Sequence, residues 1–109
     1  MRTPQRGEVW LVDLGVTAKV RPALVLSVPV NDADRALVTL VPHTTSVRGS
    51  RFEAAVPAGF LKAGAFDAQS LVTIPHARLL QILGMLNAQQ LALVGAAVRT
   101  WLGLGNPEV

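Results

Sequence analysis

The chain has 109 residues, half of them apolar and 5% aromatic, with ten Lys and Arg against seven Asp and Glu for a net charge of +3. That length supports one domain, 1–109, around a core made mostly of Leu, Val and Ala. Without cysteine and with two histidines, disulfides, thiolate chemistry and a zinc site are excluded.

Residues 8–14 read as a strand with Trp10, Val12 and Leu14 on one face. After a short connection, Gly15 to Val20, Arg21-Pro22 opens a second strand whose apolar run is 23–26. Proline drives the residue before it into extended geometry, and its fixed φ and missing N–H suit a strand entrance. Asn31-Asp32 with Asp34 marks a turn. Ala36 to Val41 is predicted to be a central strand ending at Pro42. A polar loop, 43–50, leads to an alternation over 51–56 that turns Phe52, Ala54 and Val56 inward. Residues 59–64 are irregular, and 65–74 reads as another strand stopped at Pro75. His76 precedes a helical turn and reads as a surface or capping residue.

Asn87 opens a helix as its N-cap, with Gln90 closing a capping box and Leu86 stapled to Leu91. Leu91, Val94, Val98 and Trp101 form its apolar stripe, and Gly103, Gly105 and Asn106-Pro107 stop it. The charge-free stretch 79–98 could span a bilayer by length. Gln81, Asn87, Gln89 and Gln90 lie within it, however, and unpaired amides are costly there, so no membrane span is expected. No basic-then-apolar segment opens the sequence, and a cytoplasmic protein is expected. Five or six short strands and one terminal helix predict a mostly-β, α+β fold built on a small, strongly bent sheet or barrel.

Two stretches could carry chemistry. In the first, Val20 to Ser27, Arg21 sits on stiff backbone at a strand entrance, where a guanidinium can meet phosphate through two parallel N–H···O bonds. The same position equally suits an ordinary surface arginine. The second runs from Val41 to Arg51. There the imidazole of His43 is followed by hydroxyls, Thr44, Thr45, Ser46 and Ser50, which with backbone N–H groups can orient phosphate oxygens while Arg48 and Arg51 supply charge. A plain hairpin loop whose hydroxyls satisfy their own backbone fits the same residues. His43 lies two residues before Thr45, so continued strand geometry would put both on one side and offer a proton-transfer group.

Five of the ten basic residues, Lys19, Arg21, Arg35, Arg48 and Arg51, fall between positions 19 and 51, a bias compatible with an anionic partner. There is no glycine-rich cradle before a helix, and neither HExxH nor GxSxG occurs. The carboxylates are scattered, which disfavours glycosidic or metal-dependent nuclease chemistry. No cofactor and no metal are expected. What remains is phosphate chemistry by positioning and positive charge, which RNA permits because its 2′-hydroxyl can be the nucleophile.

Arg6-Gly7-Glu8-Val9-Trp10-Leu11-Val12-Asp13-Leu14, Arg21-Pro22-Ala23-Leu24-Val25-Leu26-Ser27, Val41-Pro42-His43-Thr44-Thr45-Ser46 and Gly84-Met85-Leu86 before the capped helix together resemble the MazF/PemK family of toxin endoribonucleases. The resemblance implies a small SH3-like barrel of five to seven strands with a C-terminal helix, paired as a homodimer. It implies metal-independent cleavage of single-stranded RNA by 2′-hydroxyl attack, leaving a 2′,3′-cyclic phosphate and a 5′-hydroxyl, and a cognate antitoxin with a disordered acidic segment. By motif, Arg21 matches the family's catalytic arginine and Thr45 its catalytic threonine, and the Thr-Thr doublet leaves Thr44 as the alternative for that second role. Ser46, His43, Thr44, Arg48, Arg51 and Lys19 are the expected RNA contacts. The connection Gly15 to Val20 is short and lacks the Glu-Gln-Gly-like stretch that contacts RNA in many members. A non-catalytic, CcdB-like binding module on the same barrel is the alternative, although the chain end from Gly103 to Val109 offers no obvious partner anchor.

Overall fold

In the computed structural model, residues 3–15 and 19–105 are described. The middle of the Gly15 to Val20 connection and the predicted Asn106-Pro107 stop lie outside them. Strands β1 (Glu8–Asp13) and β2 (Val20–Val25) pair antiparallel, with Val12 opposite Arg21. Further along come β3 (Leu37–Thr44), β4 (Glu53–Ala54), β5 (Ala65–Asp67), β6 (Val72–Pro75), β7 (Leu79–Met85) and helix α1 (Ala88–Leu102). The sheet order is β4-β5-β3-β2-β1-β7, with β6 also paired to β3.

Period-two alternation gives this sheet two buried faces. Val9, Leu24, Val41, Ala54 and Phe66 meet Val94, Ala97 and Val98 of α1 on one side. Trp10, Val12, Ala23, Val25, Val38, Leu40, Ile74 and Leu79 fill the other. The expected bent sheet with a terminal helix is present. Among the described residues, however, no ladder joins β4 to β7, so hydrogen bonds do not close it into a full barrel.

Pro42 does not end the central strand. The Leu26 N–H donates to the Thr39 carbonyl at 2.9 Å, and in an antiparallel ladder hydrogen-bonded pairs alternate with open ones. Pro42, opposite Ala23, therefore turns its nitrogen away from β2. On that other edge β3 pairs with β6 through Leu40 and with β5 from His43 onward. The missing N–H falls in the gap between the two partners, so β3 continues to Thr44 at no cost in ladder bonds.

The predicted strand 65–74 is broken by a 3₁₀ turn at Ala68–Ser70, where Asp67 accepts the Gln69 N–H at 3.1 Å. The alternation over 51–56 forms only two strand residues, although Ala54 and Val56 are buried as expected. Strand β7 was not predicted. It pairs with β1 across two register shifts and leaves Leu80, Ile82 and Met85 exposed.

The helix follows its cap signals. Asn87 accepts the Gln90 N–H at 2.8 Å, Gln90 accepts the Asn87 N–H at 2.9 Å, and Gly103 ends the helix at φ +70°. The stripe is buried at Val94 and Val98, whereas Trp101 is 42% exposed and meets Phe52 edge-on at 5.1 Å. The charge-free stretch is thus split between β7 and α1. No helix among the described residues is long and apolar enough to cross a membrane. His76 stands at the predicted helical turn, its Nε2 3.0 Å from the Leu37 carbonyl.

Candidate functional site

The pairing of β1, β2 and β3 lays the entrance of β2 beside the end of β3, and a cleft of about 450 Å³ opens there. Lys19, Arg21, His43, Thr44, Thr45 and Ser46 all line it, as do Phe60, Leu61 and Lys62. Arg21 is half-buried on β2. Lys19 adopts φ +60°, a left-handed conformation uncommon outside glycine. Its carbonyl accepts the Leu14 N–H at 3.0 Å, and its own N–H reaches the Gly15 carbonyl at 2.9 Å, which ties the connection down just before Arg21.

Beyond Pro42 the chain stays extended for two residues and then bends. The Thr44 hydroxyl accepts the Ser46 N–H at 3.0 Å, an ST-type turn. Thr45, at the bend, is exposed. Its hydroxyl makes no hydrogen bond to the described residues, which separates the two members of the doublet.

His43 is 5% exposed and lies edge-on to Phe66 with ring centroids 5.2 Å apart. Burial pushes its pKa below the ordinary 6.5, so the ring is neutral at neutral pH. Gly64 makes room for it. A Cβ at that position would stand 2.7 Å from His43 Cε1 and 2.2 Å from the Thr44 carbonyl oxygen.

Arg48 borders a second hollow of about 310 Å³ that shares Thr44 and Ser46 with the cleft. Glu53 shapes its loop. The carboxylate accepts the Arg48 N–H at 3.1 Å from each oxygen and the Ser50 N–H at 3.0 Å. Those bonds, the one from Arg48 foremost, hold the Glu53 carboxyl below its ordinary range.

Arg51 is not brought to the cleft. Its guanidinium lies 4.6 Å over the Phe52 ring and borders a separate hollow with Leu93, Ala97 and Thr100 of α1. Phe60 and Lys62 take part instead, from a stretch the sequence shows only as irregular. Phe60 is seated on Gly84, where a Cβ would come within 2.5 Å of its ring. Among the described residues, no group of three His, Asp or Glu is placed to hold a metal ion.

The family described as PemK-like, MazF-like toxins of type II toxin–antitoxin systems matches residues 5–102. The fold is similar to that of an endoribonuclease in complex with its cognate antitoxin from a mycobacterial species, with 28% identity, TM-score 0.82, and 95% of this chain and 99% of that one covered. It is similar to MazE–MazF from Deinococcus radiodurans, with 27% identity, TM-score 0.78, and 94% and 98% covered. It is also similar to the Mycobacterium tuberculosis toxin MazF-mt6, with 27% identity, TM-score 0.77, and 91% and 99% covered. No curated protein matches the sequence significantly.

Proposed function

This chain belongs to the PemK-like, MazF-like toxins of type II toxin–antitoxin systems, and we propose that it is a cytoplasmic, metal-independent endoribonuclease acting on single-stranded RNA. The observation that carries this reading is the cleft that Arg21 lines together with Thr45, Ser46, Lys19 and Lys62. Donors fixed in advance where charge develops on phosphorus are the largest single contribution such a site can make.

Arg21 binds the scissile phosphate and stabilises the charge on its oxygens as the RNA's own 2′-hydroxyl attacks. Thr45 donates to the same phosphate, its exposed hydroxyl making no hydrogen bond to the described residues, while the Thr44 oxygen holds the turn by accepting the Ser46 N–H. Ser46, Arg48 and the two lysines hold flanking backbone. The products are a 2′,3′-cyclic phosphate and a 5′-hydroxyl. Because the nucleophile comes from the substrate, no metal-bound water is required.

The neighbours from a mycobacterial species and D. radiodurans, described as an endoribonuclease with its cognate antitoxin and as MazE–MazF, support a cognate antitoxin here, one that covers the basic cleft. A homodimer would bury the exposed Leu80, Ile82 and Met85 of β7, and light scattering at micromolar concentration measures it.

Incubation with a long transcript in EDTA, with analysis of the new ends, tests the activity. Fragments ending in cyclic phosphate are expected, with rates that fall as salt rises. Folded Arg21→Ala is expected to leave the RNA intact. Cutting by that variant at the parental rate would refute the role of Arg21, and RNA left intact by the parental protein would favour the non-catalytic reading.

A further inference from the structure

We propose that His43 is the general base of this cleavage, its imidazole taking the proton from the attacking 2′-hydroxyl. The assignment rests on the endoribonuclease reading and adds the proton acceptor that Arg21 and Thr45 do not supply.

Three observations carry it. First, His43 lines the same cleft as Arg21 and Thr45 although only 5% of its surface is exposed. Second, its ring has no hydrogen bond within the described chain, its one ring contact being the edge of Phe66. No buried side-chain nitrogen or oxygen among the described residues lacks a partner, so the ring nitrogens are not sealed in and open onto the cleft. His76 is different, its Nε2 being engaged by the Leu37 carbonyl.

Third, the surroundings favour a neutral imidazole ready to accept a proton. Phe66 and Gly64 pack against it without charge. Among the described residues, the charged groups sharing the cleft are Lys19, Arg21 and Lys62, all cations, and no carboxylate lines it. Glu53 and Asp67 face the neighbouring hollow. Phe66 and the bare face of Gly64 also hold the ring in place, as a base must be held to reach one particular hydroxyl.

A ring nitrogen lone pair takes the 2′-hydroxyl proton, O2′ bonds to phosphorus, and the P–O5′ bond breaks. The departing O5′ takes a proton from water, and the imidazolium returns its own to solvent.

The test compares pH–rate profiles of the full chain and of His43→Gln, alongside circular dichroism and affinity for a 2′-deoxy oligonucleotide that cannot be cut. Parental kcat is expected to climb from acid through one ionisation below 6.5 to a plateau. The variant is expected to lose that limb and about 10²-fold or more in kcat, with oligonucleotide affinity unchanged. His43→Ala provides a second variant, whose rate should recover with the concentration of unprotonated imidazole added.

Retention of the acid limb by a folded variant overturns the assignment. So does a loss that appears wholly as weaker oligonucleotide binding, or a rate restored on RNA with sulfur at the bridging 5′ position, which would mark an acid rather than a base. A parental protein that cuts no RNA overturns the endoribonuclease reading itself, and that result is visible before any variant is compared.

Discussion

Adding one methyl group at Gly64 should damage the cleft more than its size suggests. The alanine Cβ would stand 2.2 Å from the Thr44 carbonyl oxygen and 2.7 Å from His43 Cε1, whereas real Cβ contacts keep to 3.0 Å or more. Relief requires a shift of about 1 Å, and misplacement on that scale costs on the order of 10²-fold in rate. A carbonyl in the β3–β5 region cannot swing aside as a flexible side chain could, so β3 or the loop before β5 must move. Overpacking of this kind costs roughly 1–3 kcal/mol. For a chain of this length that lowers Tm by about 4–13 °C. Scanning calorimetry and single-turnover cleavage of a labelled oligonucleotide measure both effects. A Gly64→Ala variant with parental Tm and parental rate would show that His43 and Thr44 are not held as described.

Glu53→Ala should leave the fold intact, speed amide exchange over residues 47–50 and weaken RNA binding, because the carboxylate that accepts the Arg48 and Ser50 N–H bonds is gone. The folded Glu53 carboxyl titrates below its ordinary 4.5. Its ordering of the loop is therefore complete above that value and lost as pH falls through the lower folded one, which exchange rates measured down the acid range would follow. Asn87→Ala removes the N-cap acceptor and should lower stability by about 1 kcal/mol, or about 4 °C in Tm, without changing the cleavage rate. Arg51→Ala should keep the parental rate and salt slope, since its guanidinium sits over Phe52 on the α1 side. A reduced salt slope in that variant would place Arg51 on the RNA path.

What the sequence revealed divides along local and distant causes. The helix from Asn87 to Gly103 was legible because its capping box and left-handed stop involve residues three or four apart. The placement of Arg21 was legible because proline restricts its neighbour whatever the rest of the chain does. Pro42 misled, since whether a proline ends a strand depends on which edge its nitrogen faces, and the register with β2 decides that. Strand β7 was hidden because one charge-free stretch holds both a strand and a helix. Its exposed apolar residues blur the alternation that would mark an edge strand. Arg51 lies outside the cleft and Lys62 lines it for a similar reason, since contacts between distant residues are involved: the Arg51 guanidinium lies over Phe52 beside α1, and Lys62 lines the cleft with Phe60, which is seated on Gly84.

The three-way junction on β3 has a consequence for control. Its end carries His43 and Thr44, and the same strand is laced to β2, β5 and β6. Peeling it away would break three ladders together and open both cores, so its amides should exchange with solvent only when the whole molecule unfolds. An inhibitor that unfolds nothing would therefore act at the cleft beside this strand, standing where the RNA to be cut would lie.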